Sequence, residues 1–112
     1  MDSGMPVVVV GAGPVRLAAA AHLLERGLEP VVLEAGDHVG AAVRQWRHVR
    51  LFSPWGELID DAAARLLESA GWDRPDPASY PTGEEWADGY LEPLAKALGE
   101  RARLGTRVVG VA

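Results

Sequence analysis

Two glycines and one carboxylate near the start of the chain have the types and spacing needed to hold a phosphate-linked ligand. Gly11 and Gly13 follow the apolar run Val7 to Val10, and Glu34 stands about 20 residues further on, at the end of a second apolar run. Glycine permits a sharp turn and, without a Cβ, lets a pyrophosphate approach the backbone. A carboxylate at this distance suits the hydroxyls of a ribose. The pattern therefore predicts a dinucleotide site.

The elements around these residues are predicted to form a βαβ unit. Val7 to Val10 lacks polar alternation, which is typical of a strand buried on both faces of a parallel sheet. Pro14 suits the first position of a helix, whose free N–H groups and dipole would face the phosphates. Gly27 is a plausible helix stop before a second strand, Val31 to Leu33. One helix face carries small and apolar residues that would pack on the sheet: Leu17, Ala20, Ala21 and Leu24.

Arg16 occupies the position at which the G-x-G-x-x-G pattern has its third glycine. That glycine allows close contact between helix and strand, so a long side chain is expected to overpack it at a cost of about 1–3 kcal/mol. A cation in the first helical turn also opposes the helix dipole. We therefore expect weakened ligand binding. The alternative is that Arg16 turns outward and reaches a phosphate, or favours NADP-type ligands.

A loop rich in cations follows the second strand. Arg44, Arg47 and Arg50 suit either phosphate contacts or an ordinary solvated surface. Beyond it, apolar spacing predicts an amphipathic helix over residues 58–70. Asp60 and Asp61 lie near its start, where carboxylates complement the helix dipole. We favour this helix-end role over a catalytic carboxylate pair.

The next segment is predicted to be irregular and then helical. Three prolines within residues 72–81 exclude a regular element, and Trp72 and Tyr80 are expected to fold back onto the protein. Thr82 and Glu85 have the spacing of a capping box. Pro93 is expected to kink or interrupt the helix that follows. Residues 99–104 are predicted to be a turn before a last β-rich run, residues 106–111.

Composition narrows the function classes. The chain has 112 residues, a net charge of −5 and no cysteine, which argues against nucleic-acid binding and excludes disulfides and thiolate metal sites. His22, His38 and His48 have no ligand spacing, so no metal is expected. No apolar run approaches the ~18 residues of a membrane span, and no signal-peptide core is present. We expect no membrane association and a cytoplasmic location.

The chain resembles the N-terminal FAD-binding portion of FAD/NAD(P)-dependent oxidoreductases, and in particular flavoprotein monooxygenases. The resemblance is carried by GAGP at Gly11 to Pro14, LAAAAHL at Leu17 to Leu23 and EAGDHVG at Glu34 to Gly40. HVRLFSPW at His48 to Trp55 and the order of the last helix and strand extend it over most of the chain. Ala41 departs from the family, which often has a second glycine there.

The resemblance implies an α/β fold of Rossmann-like type, truncated, with a parallel sheet flanked by helices. One partial FAD/NAD(P)-binding domain would span residues 1–112, with a βαβ core at 6–35, a loop and helical insertion at 36–99 and a further strand at 105–112. The parallel sheet would then have uncovered apolar edges and faces.

The resemblance also assigns cofactor-binding residues. FAD would lie with its pyrophosphate over Gly11, Ala12, Gly13 and Pro14, its adenosine ribose at Glu34, and its loop bordered by Gly40 and Arg44. No catalytic residue maps onto the chain, and the NAD(P)H and substrate regions of the family are not found in it, so a missing C-terminal portion or an oligomer partner is expected. The alternatives are an NAD(P)-binding Rossmann protein and a non-catalytic truncated remnant.

Overall fold

The computed structural model describes residues 6–36, 45 and 48–106. Strand β1 (Pro6–Val10) pairs in parallel with β2 (Glu29–Leu33), in a register that sets Val8 opposite Val31. Helix α1 (Pro14–Glu25) makes the crossover between them. A short strand, β3 (Ala102–Arg103), pairs in parallel with the other edge of β2, giving the order β1-β2-β3. The expected α/β fold with a parallel sheet flanked by helices is confirmed.

The helices after β2 pack on the same side of the sheet as α1. They are α2 (Trp55–Leu58), α3 (Asp61–Ser69), α4 (Gly83–Trp86), a π-helical segment (Ala87–Leu91) and α5 (Glu92–Leu98), followed by a 3-10 turn (Gly99–Arg101). One apolar core joins the helices to the inner face of the sheet. Its fully buried members include Leu17, Val32, Leu67, Tyr90, Leu94 and Leu98.

The two faces of β1 differ, which corrects the expectation that this strand is buried on both. Val9 points into the helical layer and is 8% exposed. Val8 and Val10 point the other way and are 55% and 49% exposed, because side chains alternate along a strand. All the helices in the described part of the chain lie on the Val9 side, so the opposite face is left apolar and open.

The last strand lies earlier than predicted. β3 falls at Ala102–Arg103, within the segment interpreted as a turn, whereas Gly105 and Thr106 have no strand conformation. The end of β2 fixes this position, since the Glu34 amide donates to the Arg103 carbonyl at 3.0 Å and the Thr106 amide donates to the Glu34 carbonyl at 2.7 Å. The rest of the predicted strand, residues 107–112, lies outside the described residues.

The helix predicted over residues 58–70 begins later, at Asp61, and Leu58 is instead the last residue of α2. Ile59 is extended, and Asp60 starts α3 as its N-cap, with its side chain accepting a hydrogen bond from the Ala63 amide at 3.0 Å. The carboxylate competes with a continuous helix by satisfying an amide that a helix start leaves unpaired. The helix-end role predicted for Asp60 is therefore confirmed, at a later start.

The proline-rich segment and the cap after it follow the prediction, with one exception. Residues 72–81 have no helix or strand. Thr82 and Glu85 form the capping box, with distances of 2.8 and 3.1 Å for its two hydrogen bonds. Trp72 packs against Tyr90, with ring centroids 6.3 Å apart. Tyr80 is 46% exposed, so the expectation that it folds back is wrong.

Pro93 interrupts its helix as expected. The chain passes from α4 through the π-helical segment before α5 begins at Glu92. In a regular α-helix the amide of residue 93 would donate to the Gly89 carbonyl, but proline has no N–H. The indole Nε1 of Trp72 donates to that carbonyl instead, at 2.9 Å. The Gly89 carbonyl thus accepts from a side chain of the preceding loop.

Candidate functional site

The glycine turn lies at the carboxyl end of β1. Gly11 has φ of +99°, a conformation that side chains with a Cβ rarely adopt. Its amide donates to the Leu33 carbonyl of β2 at 2.7 Å, so the turn starts from a fixed point on the sheet. Ala12 is buried, whereas a Cβ placed on Gly13 would meet nothing within 4 Å. Open space therefore faces the backbone at Gly13.

Helix α1 starts at this turn with an uncapped N-terminus. Gly13 is the N-cap in an extended conformation, Pro14 takes the first helical position, and no side chain caps the helix. The Gly13 carbonyl accepts from the Leu17 amide at 3.0 Å. Free N–H groups and the positive end of the dipole thus face the open space, which suits a phosphate. The turn predicted from Gly11, Ala12, Gly13 and Pro14 is formed as a single unit.

Glu34 ties the tip of β2 to the glycine turn. Its Oε1 accepts a hydrogen bond from the Ala12 amide at 2.7 Å, and its Oε2 accepts one from the Gly36 amide at 2.8 Å. Hydrogen bonds to a charged carboxylate are the stronger kind. The carboxylate therefore stands beside the turn and is half-buried, and its contact with a ribose stays a prediction. The bond to Ala12 was not foreseen, although adjacent strand tips bring these residues together.

Arg16 turns outward. Its side chain is exposed, and Nη1 donates to the Val10 carbonyl at the end of β1, at 2.8 Å. Its Cγ lies 3.9 Å from the place a Cβ on Gly11 would take. The side chain therefore does not enter the contact between α1 and β1, and the expectation that it overpacks this contact is wrong. It lies across the first glycine of the turn.

The remaining predicted residues of the site are placed as follows. Gly40 and Arg44 lie outside the described residues, as does Arg47. Arg50 is directed away from the turn, since it donates to the Tyr80 carbonyl at 2.5 Å and lies 3.7 Å from Glu85. Of the two interpretations of the loop arginines, phosphate contact or solvated surface, Arg50 thus fits the solvated surface.

A second polar cluster joins α1 to the start of α3. His22 Nε2 lies 2.9 Å from Asp60 Oδ1, and the Asp60 amide donates to the Tyr90 hydroxyl at 3.2 Å. Burial by itself raises the pKa of Asp60, but hydrogen bonds from His22 and the Ala63 amide outweigh it and hold that pKa below its ordinary value. Burial raises the pKa of Tyr90. The cluster borders a cleft of about 720 Å³ and fixes the helix start.

The described part of the chain contains no group of three or more His, Cys, Asp or Glu side chains placed to hold a metal ion. None of its helices is both long enough and apolar enough to cross a membrane.

The parallel β1–α1–β2 unit, the glycine turn and the carboxylate at the tip of β2 together define a Rossmann-like nucleotide-binding fold. A family model described as an NAD(P)-binding Rossmann-like domain matches residues 9–73. The chain belongs to this family.

Curated relatives place the similarity among oxidoreductases. Indole-3-pyruvate monooxygenase YUCCA1 of Oryza sativa subsp. japonica is 37% identical over 103 residues, which are 90% of this chain and 23% of the relative. 15-cis-phytoene desaturase, chloroplastic/chromoplastic, of Narcissus pseudonarcissus is 39% identical over 46 residues, 41% of this chain and 8% of the relative. The chain thus spans about a quarter or less of each relative.

Solved structures share the fold. Oxidized steroid monooxygenase bound to NADP is 29% identical with a TM-score of 0.67, over 92% of this chain and 20% of that one. OTEMO in an FAD-bound form has a TM-score of 0.64 at 23% identity, over 96% of this chain and 20% of that one. The resemblance to the N-terminal FAD-binding portion of FAD/NAD(P)-dependent oxidoreductases is confirmed.

Proposed function

We propose that this chain is the FAD-binding segment of an NAD(P)H-dependent flavoprotein oxidoreductase or monooxygenase. The observation that carries the proposal is the Glu34 carboxylate held 2.7 Å from the Ala12 amide, beside an uncapped helix N-terminus. One acceptor for ribose hydroxyls and one set of donors for phosphate thereby lie at the same strand ends. Of the structural neighbours, OTEMO is in an FAD-bound form and steroid monooxygenase is bound to NADP.

Each residue of the turn has a separate part in holding the ligand. Gly11 gives the backbone its sharp exit from β1, and Gly13 leaves room for the pyrophosphate next to the free N–H groups of α1. Glu34 would exchange its bond from Ala12 for bonds from the ribose. Gly40 and Arg44 would border the cofactor further along the loop. Bound FAD supplies the redox chemistry, and the protein supplies its position.

No catalytic residue is assigned to this chain, and its proposed role is binding rather than turnover. The second candidate is an NAD(P)-binding Rossmann module, which the description of the matching family favours. The same turn and carboxylate serve both ligands. The relative affinities for FAD and for NADH or NADPH distinguish the two candidates. A truncated remnant that has lost cofactor binding would bind none of the three nucleotides.

Calorimetric titration of the purified chain with FAD, NADH and NADPH tests the proposal. We expect saturable FAD binding at least about tenfold tighter than binding of either nicotinamide nucleotide. Glu34→Gln should weaken FAD binding about tenfold or more, because a hydrogen bond to a charged group contributes roughly 1.5–3 kcal/mol. Asp73→Asn, the same change in the proline-rich segment, is the control and should leave it unaltered. No FAD binding, or preference for NADPH, contradicts the proposal.

A further inference from the structure

Arg16 stands where the G-x-G-x-x-G pattern has its third glycine, and its side chain lies beside the glycine turn. The side chain leaves the first turn of α1 and passes over Gly11, with its Cγ 3.9 Å from the position of a Cβ on that glycine. The guanidinium then reaches the last residue of β1, with Nη1 2.8 Å from the Val10 carbonyl oxygen. A positive charge is thereby held at the carboxyl end of the strand that leads into the turn.

The Val10 carbonyl belongs to the free edge of the sheet. The Gly11 amide points toward β2, where it donates to Leu33. Backbone groups of successive strand residues point to opposite sides, so the Val10 carbonyl points away from β2. The described residues place no strand on that side. The guanidinium thus caps a carbonyl that solvent would otherwise cover.

This bond is the kind that a phosphate displaces. It is exposed and joins a cation to a neutral carbonyl, so water can replace either partner when the guanidinium moves away. Guanidinium pairs with phosphate through two parallel, charge-assisted hydrogen bonds, which are stronger. A phosphate at the turn would also offset the unfavourable placement of a cation in the first turn of a helix.

We propose that Arg16 binds the pyrophosphate of the dinucleotide. Until the dinucleotide binds, the Arg16 guanidinium is hydrogen-bonded to the Val10 carbonyl. The inference rests on the proposed function, since it assumes that a dinucleotide binds at the glycine turn. It reverses the expectation from sequence that Arg16 damages the site. The side chain is exposed and does not enter the contact between α1 and β1. The absence of the third glycine therefore does not overpack that contact, and the arginine adds a positive charge beside the turn.

The test is FAD affinity and its salt dependence in Arg16 variants of the whole chain. Arg16→Gln should weaken FAD binding about tenfold and flatten the dependence of the dissociation constant on salt, because one charge pair is lost. Arg16→Lys should fall between, since a point charge lacks the two-pronged geometry of guanidinium. Arg26→Gln removes the same charge at the other end of α1 and is the control, expected to stay within about twofold of wild type.

The outcomes separate this inference from the function on which it rests. FAD binding that is unchanged or tighter in Arg16→Gln or Arg16→Gly shows that Arg16 is an obstacle or a bystander, and overturns the inference alone. An equal salt dependence in wild type and Arg16→Gln overturns it as well. A wild-type chain that binds neither FAD nor NADPH overturns the inference and the proposed function together.

Discussion

Carboxylates accept hydrogen bonds from backbone amides where regular elements start or end, and Glu34 and Asp60 are two examples. Glu34 accepts from the Ala12 and Gly36 amides at the end of a strand, and Asp60 accepts from the Ala63 amide at the start of a helix. In both places the backbone bends out of a regular element and leaves amides without a backbone acceptor. At Glu34 the amide belongs to the glycine turn, so the carboxylate is placed where a ligand can claim it. At Asp60 the acceptor is structural.

Asp60 should contribute a pH-dependent part of the stability. Its pKa in the folded chain lies below the ordinary value, so at acid pH the unfolded chain binds the proton more readily and stability rises with pH. The contribution is present above the ordinary pKa of aspartate and is lost as the pH falls through the lowered pKa. Urea unfolding of wild type and Asp60→Asn between about pH 7 and 2 measures it. We expect the difference between them to shrink toward low pH.

Glu25 and Glu68 also have lowered pKa values, because Arg65 and Arg74 donate to them. Both carboxylates remain in the Asp60→Asn variant. The contribution of Glu68 cancels in the comparison, whereas the Asp60 charge raises the pKa of Glu25, so the substitution lowers that pKa further. A difference that stays constant across the acid range would show that Asp60 has no depressed pKa.

At the scale of elements, the helical region that covers the sheet changes to a π-helical segment before Pro93, and a side chain from a neighbouring loop is hydrogen-bonded to that segment. The π-helical segment Ala87–Leu91 precedes Pro93, and the Gly89 carbonyl accepts from the Trp72 indole at 2.9 Å. The same tryptophan packs against Tyr90, whose hydroxyl accepts from the Asp60 amide. One loop side chain therefore links the proline-rich segment to the helix and, through Tyr90, to the start of α3.

This arrangement predicts coupling between Trp72 and Pro93. Trp72→Phe should cost about 1 kcal/mol through the hydrogen bond, in addition to the packing lost with the smaller ring. In a Pro93→Ala background, residue 93 regains an amide that can donate to Gly89, so the same substitution should cost about 0.5–1 kcal/mol less. Urea denaturation of the four proteins gives the coupling free energy. Equal costs in the two backgrounds would refute the exchange of donors.

At the scale of the whole molecule, the described residues form one helical layer on one face of a three-stranded sheet. On the inner face of β1, Val9 packs against that layer, whereas Val8 and Val10 on the outer face are exposed. Exposed apolar surface of this kind marks an interaction surface in many proteins. The relatives are four or more times longer than this chain, as the 23% and 20% coverages show.

The same substitution is predicted to have a large effect on one face of β1 and a small effect on the other. Val9→Thr places a hydroxyl in the core and should lower the free energy of unfolding by about 1–3 kcal/mol. Val8→Thr, the matched change on the outer face, should stay within about 0.5 kcal/mol of wild type. Chemical denaturation measures both. A large loss at Val8 would mean that the outer face is covered, for instance by self-association, and dependence of the loss on protein concentration would identify that case.

The sequence predicted local features well where one residue acts on its immediate neighbours. The glycine turn, the start of α1 at Pro14, the Thr82–Glu85 capping box and the interruption at Pro93 all follow from backbone chemistry within a few positions. The run of valines suggested two buried faces because hydrophobicity shows that a strand can be buried, not which face meets a helix. The split before Asp60 was missed because an apolar stripe continues across it.

Contacts between residues far apart in the chain could not be predicted from the sequence. The side-chain direction of Arg16 depends on the position of the Val10 carbonyl, which is fixed by the pairing of β1 with β2. The bond from Ala12 to Glu34 joins residues that only the crossover brings together. The meeting of His22 with Asp60 likewise depends on how α1 packs against α3. Types and spacing indicated a site, and the strand pairing determined its contacts.

Titration with FAD, monitored by backbone amide NMR, tests most directly whether a dinucleotide binds over the glycine turn beside Glu34. We expect the largest saturable shifts at Gly11, Ala12 and Gly13, and in particular at the Ala12 amide as Glu34 turns from it to the ribose. Small shifts are expected at the Ala63 amide, whose acceptor lies in the other cluster. Saturable shifts centred on Asp60 and His22, or none at the turn, would contradict the account.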